Sequence, residues 1–139
     1  MTAILWPLLT QIGWTVMLYA WLTLARKRAV SRGEADNSAF VLGRNEPLEA
    51  ARVARNLANQ FELPVIFYTL IVLLLLFRQV NVFDVVAAWV FVAGRVVHTL
   101  VQTLTDNVPL RGQVFVINFL AVVALAGHVA WLAFNGTAP

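Results

Sequence analysis

The sequence predicts an all-α integral membrane protein built as a four-helix bundle. Of its 139 residues, 60% are hydrophobic and 12% are charged, whereas soluble domains carry about 25% charged residues. The apolar residues gather into four segments, and each is long enough to cross a hydrocarbon core of about 30 Å as a helix. A soluble chain of this length has too small an interior to bury so much apolar surface, so a membrane-embedded fold is expected.

The four helices, taken in chain order, are separated by one long polar connection and two short turns. The long connection, 26–47, has the Gly, Asn, Asp and Ser content of a loop, and the turns lie near 78–82 and 105–112. Short connections make consecutive helices antiparallel neighbours. One domain is therefore expected over residues 1–139. Its predicted helices span about 3–25, 48–77, 83–104 and 114–134.

Basic residues predict the orientation of the bundle. Basic loops favour the cytoplasmic side of a membrane, so we expect the 26–47 connection there and both chain ends on the opposite side. The basic cluster follows the first apolar segment, whereas a signal peptide carries its charges in front, so this segment is expected to be an uncleaved helix. The basic residues of the connection are Arg26, Lys27, Arg28, Arg32 and Arg44.

Composition argues against several classes of function. The chain has no Cys, which excludes disulfides and a protein thiol nucleophile. Neither of its two His residues has a second His or a Cys at metal-ligand spacing, so no metal site is expected. Basic runs are few outside the first connection, and no loop interleaves aromatic with basic residues, so nucleic acid is not an expected partner. Any sulfur chemistry would have to use the thiol of a substrate.

Polar residues line one face at the start of the second segment. On a helix turning about 100° per residue, Arg52, Arg55, Asn59 and Glu62 fall within an arc of roughly 80°. Glu62 lies roughly 15 Å deeper than Arg52, where its short side chain cannot reach the interface. This face is therefore expected to point away from lipid, towards protein or a polar cavity. Pro64 removes a helical hydrogen bond just beyond it, which predicts a kink.

The third segment carries a matching polar stripe formed by Arg95, His98 and Gln102. Because the second and third helices are expected to be antiparallel, the depths of their residues can be compared at about 1.5 Å per residue. The two polar faces should therefore meet, with an ion pair at the deepest level. The predicted levels are Glu62 with Arg95, Asn59 with His98, and Arg55 with Gln102.

Two interpretations of this register are open. One is a closed polar network that only holds the helices together, and the other is a polar cavity that opens to the cytoplasm and binds a ligand. Arg52, Arg55, Arg95 and Arg111 outnumber the local carboxylate of Glu62. A closed network should balance its charges, since an unpaired charge at depth costs several kcal/mol. The surplus of cations favours an anionic ligand.

The pattern R-x-x-R-x-x-x-N-x-x-E opens the second segment and G-R-x-x-H-T lies on the third. Together these two motifs resemble the MAPEG superfamily, the membrane-associated proteins in eicosanoid and glutathione metabolism. The resemblance covers nearly the whole chain, most strongly 48–112. It implies a homotrimer that binds glutathione as co-substrate between subunits, near the cytoplasmic side, while a lipophilic second substrate approaches through the membrane lipids. It also implies that the protein is a divergent, bacterial-type member of this superfamily and lies in the inner (plasma) membrane.

The resemblance further implies roles for individual residues. Arg111, which lies in P-L-R-G-Q thirteen residues after His98, matches the arginine that stabilises the glutathione thiolate and is the predicted catalytic residue. Arg26 matches an arginine that reaches the site from an adjacent subunit. Glutathione carries two carboxylates and one ammonium group, so several Arg and one Glu form a complementary set. The predicted substrate-binding residues are Arg26, Arg52, Arg55, Asn59, Glu62, Arg95, His98 and Gln102.

Some positions depart from the pattern of the family. Gln102 and Phe115 stand where some members have Tyr, Ala58 where some have another Arg, and Gly112 where the prostaglandin synthase has Ser. Specificity for prostaglandins or leukotrienes is therefore not expected. The expected function is a glutathione transferase or peroxidase that acts on lipophilic electrophiles. The alternatives are a non-catalytic member that binds another anion or a lipid, and a small proton-coupled transporter that relies on Glu62.

Overall fold

The computed structural model describes residues 2–41, 43 and 45–136, and it is helical along most of that length. Among these residues, four helical stretches are long and apolar enough to cross a membrane. The predicted all-α bundle with four membrane-spanning segments is confirmed. The α-helices are Leu5–Ser31 (α1), Leu48–Ala58 (α2), Leu63–Phe77 (α3), Val82–Leu104 (α4) and Val108–Phe134 (α5). Arg44 and both chain ends, which entered the orientation argument, lie outside the described residues.

Two helices extend beyond their predicted bounds. α1 continues to Ser31 because Arg, Lys and Ala are strong helix formers even where they end the apolar run. α5 begins at Val108, since the side chain of Asn107 accepts a hydrogen bond from the amide of Leu110 at 2.9 Å and caps the helix. Pro109 fits this first turn, where its missing amide hydrogen costs nothing. Arg111 therefore lies in the first turn of α5 rather than in a loop.

The second predicted span is interrupted, as Pro64 led us to expect. α2 ends at Ala58, a 3₁₀ turn follows over Asn59–Phe61, and α3 begins at Leu63 with Pro64 in its first turn. Between them Glu62 has non-helical backbone angles, with φ −103° and ψ −108°. The break separates the polar beginning of the span from its apolar continuation, so the two parts do not share one helical face.

α4 is the central helix of the bundle. Half of the most apolar stretch of α4 is buried inside the protein, whereas only 22% of the corresponding stretch of α1 is buried. It packs against α5, α1 and α2, while α3 packs against α5. In the core, the rings of Phe67 and Phe91 stack with their centroids 4.3 Å apart. The outward faces of the helices carry many exposed large apolar side chains, as expected of a surface that contacts lipid.

A small residue allows α5 to approach α4 closely. A Cβ atom at Gly94 would overlap the side chain of Asn118 on α5, which is fully buried. Close backbone approach at small residues is a common way for membrane helices to pack. The two polar atoms of the Asn118 amide have no hydrogen-bond partner among the described residues, so the position of this side chain depends on packing alone.

Replacing Gly94 by Ala is expected to lower the free energy of unfolding by about 1–3 kcal/mol, because the buried side chain of Asn118 must move to admit the new methyl group. The matched control is Gly127→Ala on α5, where an added Cβ meets nothing within 4 Å. That change should be neutral or raise stability by about 0.5–1 kcal/mol, since Ala favours a helix. Denaturant unfolding in detergent measures both variants. Equal stabilities would contradict the close contact.

Candidate anion-binding site

A cavity of about 140 Å³ lies where α2 begins, α4 ends and α5 begins. Four of the predicted site residues, Arg52, Arg55, Gln102 and Arg111, lie in its wall. We name this cavity the cationic pocket. It is lined by Arg52, Arg55, Val101, Gln102, Thr105, Asp106, Asn107, Val108 and Arg111.

The guanidinium groups of the cationic pocket are only partly neutralised. Arg52 donates from Nη2 to Oδ1 of Asp106, and from Nη1 to the carbonyl oxygen of Thr103 at 3.5 Å. The side chains of Arg55 and Arg111 make no hydrogen bond or ion pair with any described residue. Two cations therefore lack a counter-ion in this pocket. The pocket is suited to an anion with more than one oxygen acceptor.

An amide pair holds Gln102, one residue of the pocket wall. Asn59 donates from Nδ2 to Oε1 of Gln102 at 2.9 Å. Because this bond uses the carbonyl of Gln102, the side chain offers the pocket its amide N–H groups as donors. The expected level of Asn59 was that of His98, so its partner lies about one helical turn further along α4.

Arg95 supports the helix break from the side of α4. It is 1% exposed, and its Nη2 donates to the carbonyl oxygen of Asn59 at 3.0 Å. In a continuous helix this carbonyl would accept from the amide of Leu63, so Arg95 supplies the missing donor. Glu62 is exposed, and the part of the chain that the structure describes contains no ion pair between Glu62 and Arg95. The expected pair does not form, because the break turns Glu62 outwards.

Two further predicted residues do not line the cationic pocket. His98 is 4% exposed, and its Nδ1 has no partner among the described residues, although Arg95 and Arg111 lie within electrostatic range. Arg26 forms an ion pair with Glu46 and lies over the ring of Phe40, 5.3 Å from its centroid. Within one chain, the guanidinium of Arg26 is therefore engaged away from the pocket.

A buried polar network that was not expected from the sequence joins α1, α2 and α4. Gln11 donates to Gln60 at 3.0 Å, and Gln60 donates to the backbone carbonyl of Asn56 at 3.2 Å. Asn56 and Trp14 both donate to the hydroxyl of Thr99, at 3.0 and 3.2 Å. The network fixes α2 beside α4 and so holds one wall of the pocket. The spacing of Asn56 and Gln60, four residues apart on one helical face, was a signal that could have revealed it.

Among the described residues, no group of three or more His, Cys, Asp or Glu side chains is placed to hold a metal ion. The pocket instead presents guanidinium and amide donors, which bind anions directly.

Comparison with known proteins gives one result. The model of the MAPEG family matches residues 4–131, which include all residues of the cationic pocket. No curated protein and no solved structure matches the chain.

Proposed function

The chain belongs to the MAPEG family, and from this premise we propose that it binds glutathione in the cationic pocket and acts as a glutathione transferase or peroxidase on lipophilic electrophiles. One observation carries the proposal. Arg55 and Arg111, which have no partner among the described residues, meet in one pocket with Arg52. The family membership makes glutathione the first anion to test.

The chemistry of glutathione fits this pocket. Guanidinium groups bind carboxylates through two parallel hydrogen bonds, and Arg52 and Arg55 lie together in the wall where a carboxylate would enter. The cavity of about 140 Å³ is smaller than the roughly 300–1,000 Å³ of a pocket that holds a whole ligand. It would therefore take one charged end of the tripeptide, and the remainder would extend along the exposed face beside Asn59 and Glu62.

A second copy of the chain would complete such a site. In the proposed homotrimer, the open side of the cationic pocket faces a neighbouring subunit, whose Arg26 would contribute from the end of α1. Within one chain Arg26 is paired with Glu46, so this contribution requires that pair to open or to orient the guanidinium towards the neighbour. The basic connection would lie in the cytoplasm and the bundle in the inner membrane of a bacterium, in keeping with the positive-inside rule.

Arg111 is proposed to act on the thiol. A guanidinium beside a thiol lowers the pKa of that thiol, and the thiolate is the nucleophile. The first turn of α5 adds the partial positive charge of a helix N-terminus at the same place. In a transferase reaction the thiolate sulfur forms a bond to the electrophile and its leaving group departs. In a peroxidase reaction two glutathione thiols become a disulfide while a hydroperoxide becomes an alcohol and water.

Arg95, Asn59 and Gln102 are proposed as positioning residues. Arg95 holds the carbonyl of Asn59 at the helix break, and the side chain of Asn59 holds Gln102. Together they fix the amide donors of Gln102 at the wall of the pocket. Because Arg95 donates to the carbonyl of Asn59 at the helix break, the orientation of this wall is proposed to depend on the guanidinium of Arg95.

Replacing Arg55 by Ala should weaken glutathione binding about 10- to 100-fold, since hydrogen bonds to charged groups contribute about 1.5–3 kcal/mol. Titration of the purified protein, followed by the ultraviolet absorbance of the thiolate, measures both binding and ionisation. Arg32→Ala is the matched control, because Arg32 is exposed, pairs with Glu34 and Glu49, and does not line the pocket. A wild-type protein without a saturable thiolate signal would refute the catalytic proposal.

A non-catalytic member that binds another anion is the second candidate. It is favoured by Gln102, whose amide can bind a ligand oxygen but cannot exchange a proton as a Tyr hydroxyl does. In that case the wild-type protein would show no glutathione turnover, and Arg111→Ala would reduce anion binding alone. Assay of the wild-type protein with a lipophilic electrophile and glutathione separates the two candidates.

A further inference from the structure

Asp106 brings a carboxylate of the chain itself into the cationic pocket. It lies in the short turn between α4 and α5, in the wall of the pocket, and pairs with Arg52. Its side chain is 89% exposed, whereas that of Arg52 is 24% exposed. Arg52 is its sole side-chain partner among the described residues. This residue belongs to none of the family motifs found in the sequence.

We propose that Asp106 is an internal competitor that occupies Arg52 and thereby sets the affinity of the cationic pocket for anions. An incoming carboxylate that uses all three guanidinium groups must first displace the carboxylate of Asp106 from Arg52. The inference rests on the proposed function in taking glutathione as the expected anion, although the competition itself requires only an anionic ligand.

The release of the Asp106 carboxylate from Arg52 costs little free energy. Because the Asp106 side chain is largely exposed, its carboxylate returns to water when it leaves Arg52, so little desolvation is involved. Exposed ion pairs of this kind change an equilibrium by about fivefold or less. Arg52 keeps a second contact, from Nη1 to the carbonyl oxygen of Thr103 at 3.5 Å, and this contact would hold the guanidinium in the pocket after Asp106 departs.

The turn itself does not depend on the Asp106 carboxylate. The backbone carbonyl of Asp106 accepts from the amide of Val108 at 3.0 Å, and the cap of α5 comes from Asn107. Asp106→Asn keeps the size and shape of the side chain and removes its charge. The substitution is therefore expected to leave the fold unchanged, which a melting curve of the purified variant checks.

The test compares wild-type protein, Asp106→Asn, Asp106→Glu and Asp36→Asn by calorimetric titration in detergent. Asp36→Asn is the charge-matched control, since Asp36 lies in the polar connection and does not line the cationic pocket. Asn at that position can still accept the hydrogen bond from the amide of Ser38, which is 2.8 Å long. The two ligands are glutathione and glutarate, a plain dicarboxylate without an ammonium group or a thiol.

Asp106→Asn is expected to bind both ligands about fivefold more tightly than the wild type, while Asp106→Glu and Asp36→Asn stay close to it. If glutathione binds no variant but glutarate binds Asp106→Asn more tightly, the proposed function fails and the competition stands.

Four outcomes would overturn the competition. The first is that Asp106→Asn and the wild type bind both ligands with equal affinity. The second is that Asp36→Asn gains as much affinity as Asp106→Asn does. The third is that Asp106→Asn binds neither ligand. The fourth is weaker glutathione binding by Asp106→Asn, which would make Asp106 a ligand for the ammonium group.

Discussion

Replacing Arg111 by Ala is expected to lower glutathione turnover by about 10²- to 10³-fold, the usual effect of removing one donor that stabilises a developing anion. The guanidinium lies in the first turn of α5 and makes no hydrogen bond or ion pair with the described residues. Its removal therefore breaks no contact that holds the fold. The loss should appear in kcat and in the thiolate absorbance, because the proposed role of Arg111 is to act on the sulfur rather than on the carboxylates of the ligand.

The binding constant provides the second measurement for this variant. With Arg52 and Arg55 intact, the affinity for glutathione should fall much less than the turnover does. Arg111→Lys should keep part of the thiolate signal, since an ammonium group also stabilises a thiolate. Arg28→Ala is the control, because Arg28 is exposed on α1 and lies outside the pocket. Loss of binding in proportion to the loss of turnover would show that Arg111 only anchors the ligand.

The membrane architecture and the family could be predicted from sequence because both depend on local patterns. The length of each apolar run determines whether a helix can cross the bilayer, and each MAPEG motif occupies a short stretch of consecutive residues. The structure confirms four such helices, and the family model spans 4–131. The second span is interrupted at the 3₁₀ turn, and the start of α5 also differs, because the capping side chain of Asn107 begins this helix ahead of its apolar run. An apolar window cannot detect such a cap.

The cationic pocket could be predicted in part. Arg52, Arg55 and Gln102 come together because helical periodicity and an antiparallel arrangement bring the polar faces of α2 and α4 together. Counting residues along a straight helix gives the wrong partner for Glu62, because the helix is interrupted at the 3₁₀ turn. Arg95 instead donates a hydrogen bond to the carbonyl oxygen of Asn59 at this turn. A kink was predictable from Pro64, but its consequence for side-chain directions was not.

Contacts between residues distant in sequence were the hardest to foresee. The sequence places Asp106 in a turn and indicates no partner for it. In the structure it pairs with Arg52. The sequence pattern assigns no role to His128. In the structure, its Nδ1 lies 2.8 Å from Oδ1 of the fully buried Asp84. Such a pair depends on the register of α4 against α5, and no local pattern determines that register.

Replacing His128 by Ala is expected to lower the free energy of unfolding by about 1–3 kcal/mol, the usual cost of leaving a buried acceptor without its hydrogen-bond partner. Asp84 is 0% exposed, and its other oxygen accepts from the amide of Asn81 at 2.9 Å as part of a capping box. Without His128 one carboxylate oxygen loses its partner inside the protein. A loss of this size is a large fraction of the roughly 5–15 kcal/mol that stabilises a typical domain.

A double-mutant cycle separates the pair from the general effect of truncation. Asp84→Asn removes the charge, and its remaining carbonyl oxygen can still accept from Asn81, so the combined variant should lose less stability than the sum of the two single changes. Denaturant unfolding in detergent gives the coupling energy. Since the pair lies at the opposite end of α4 from the cationic pocket, the folded variants should retain the anion affinity of the wild type. Additive losses would show that Asp84 and His128 stabilise the bundle independently, and a loss of anion affinity would show that the α4–α5 register also shapes the pocket.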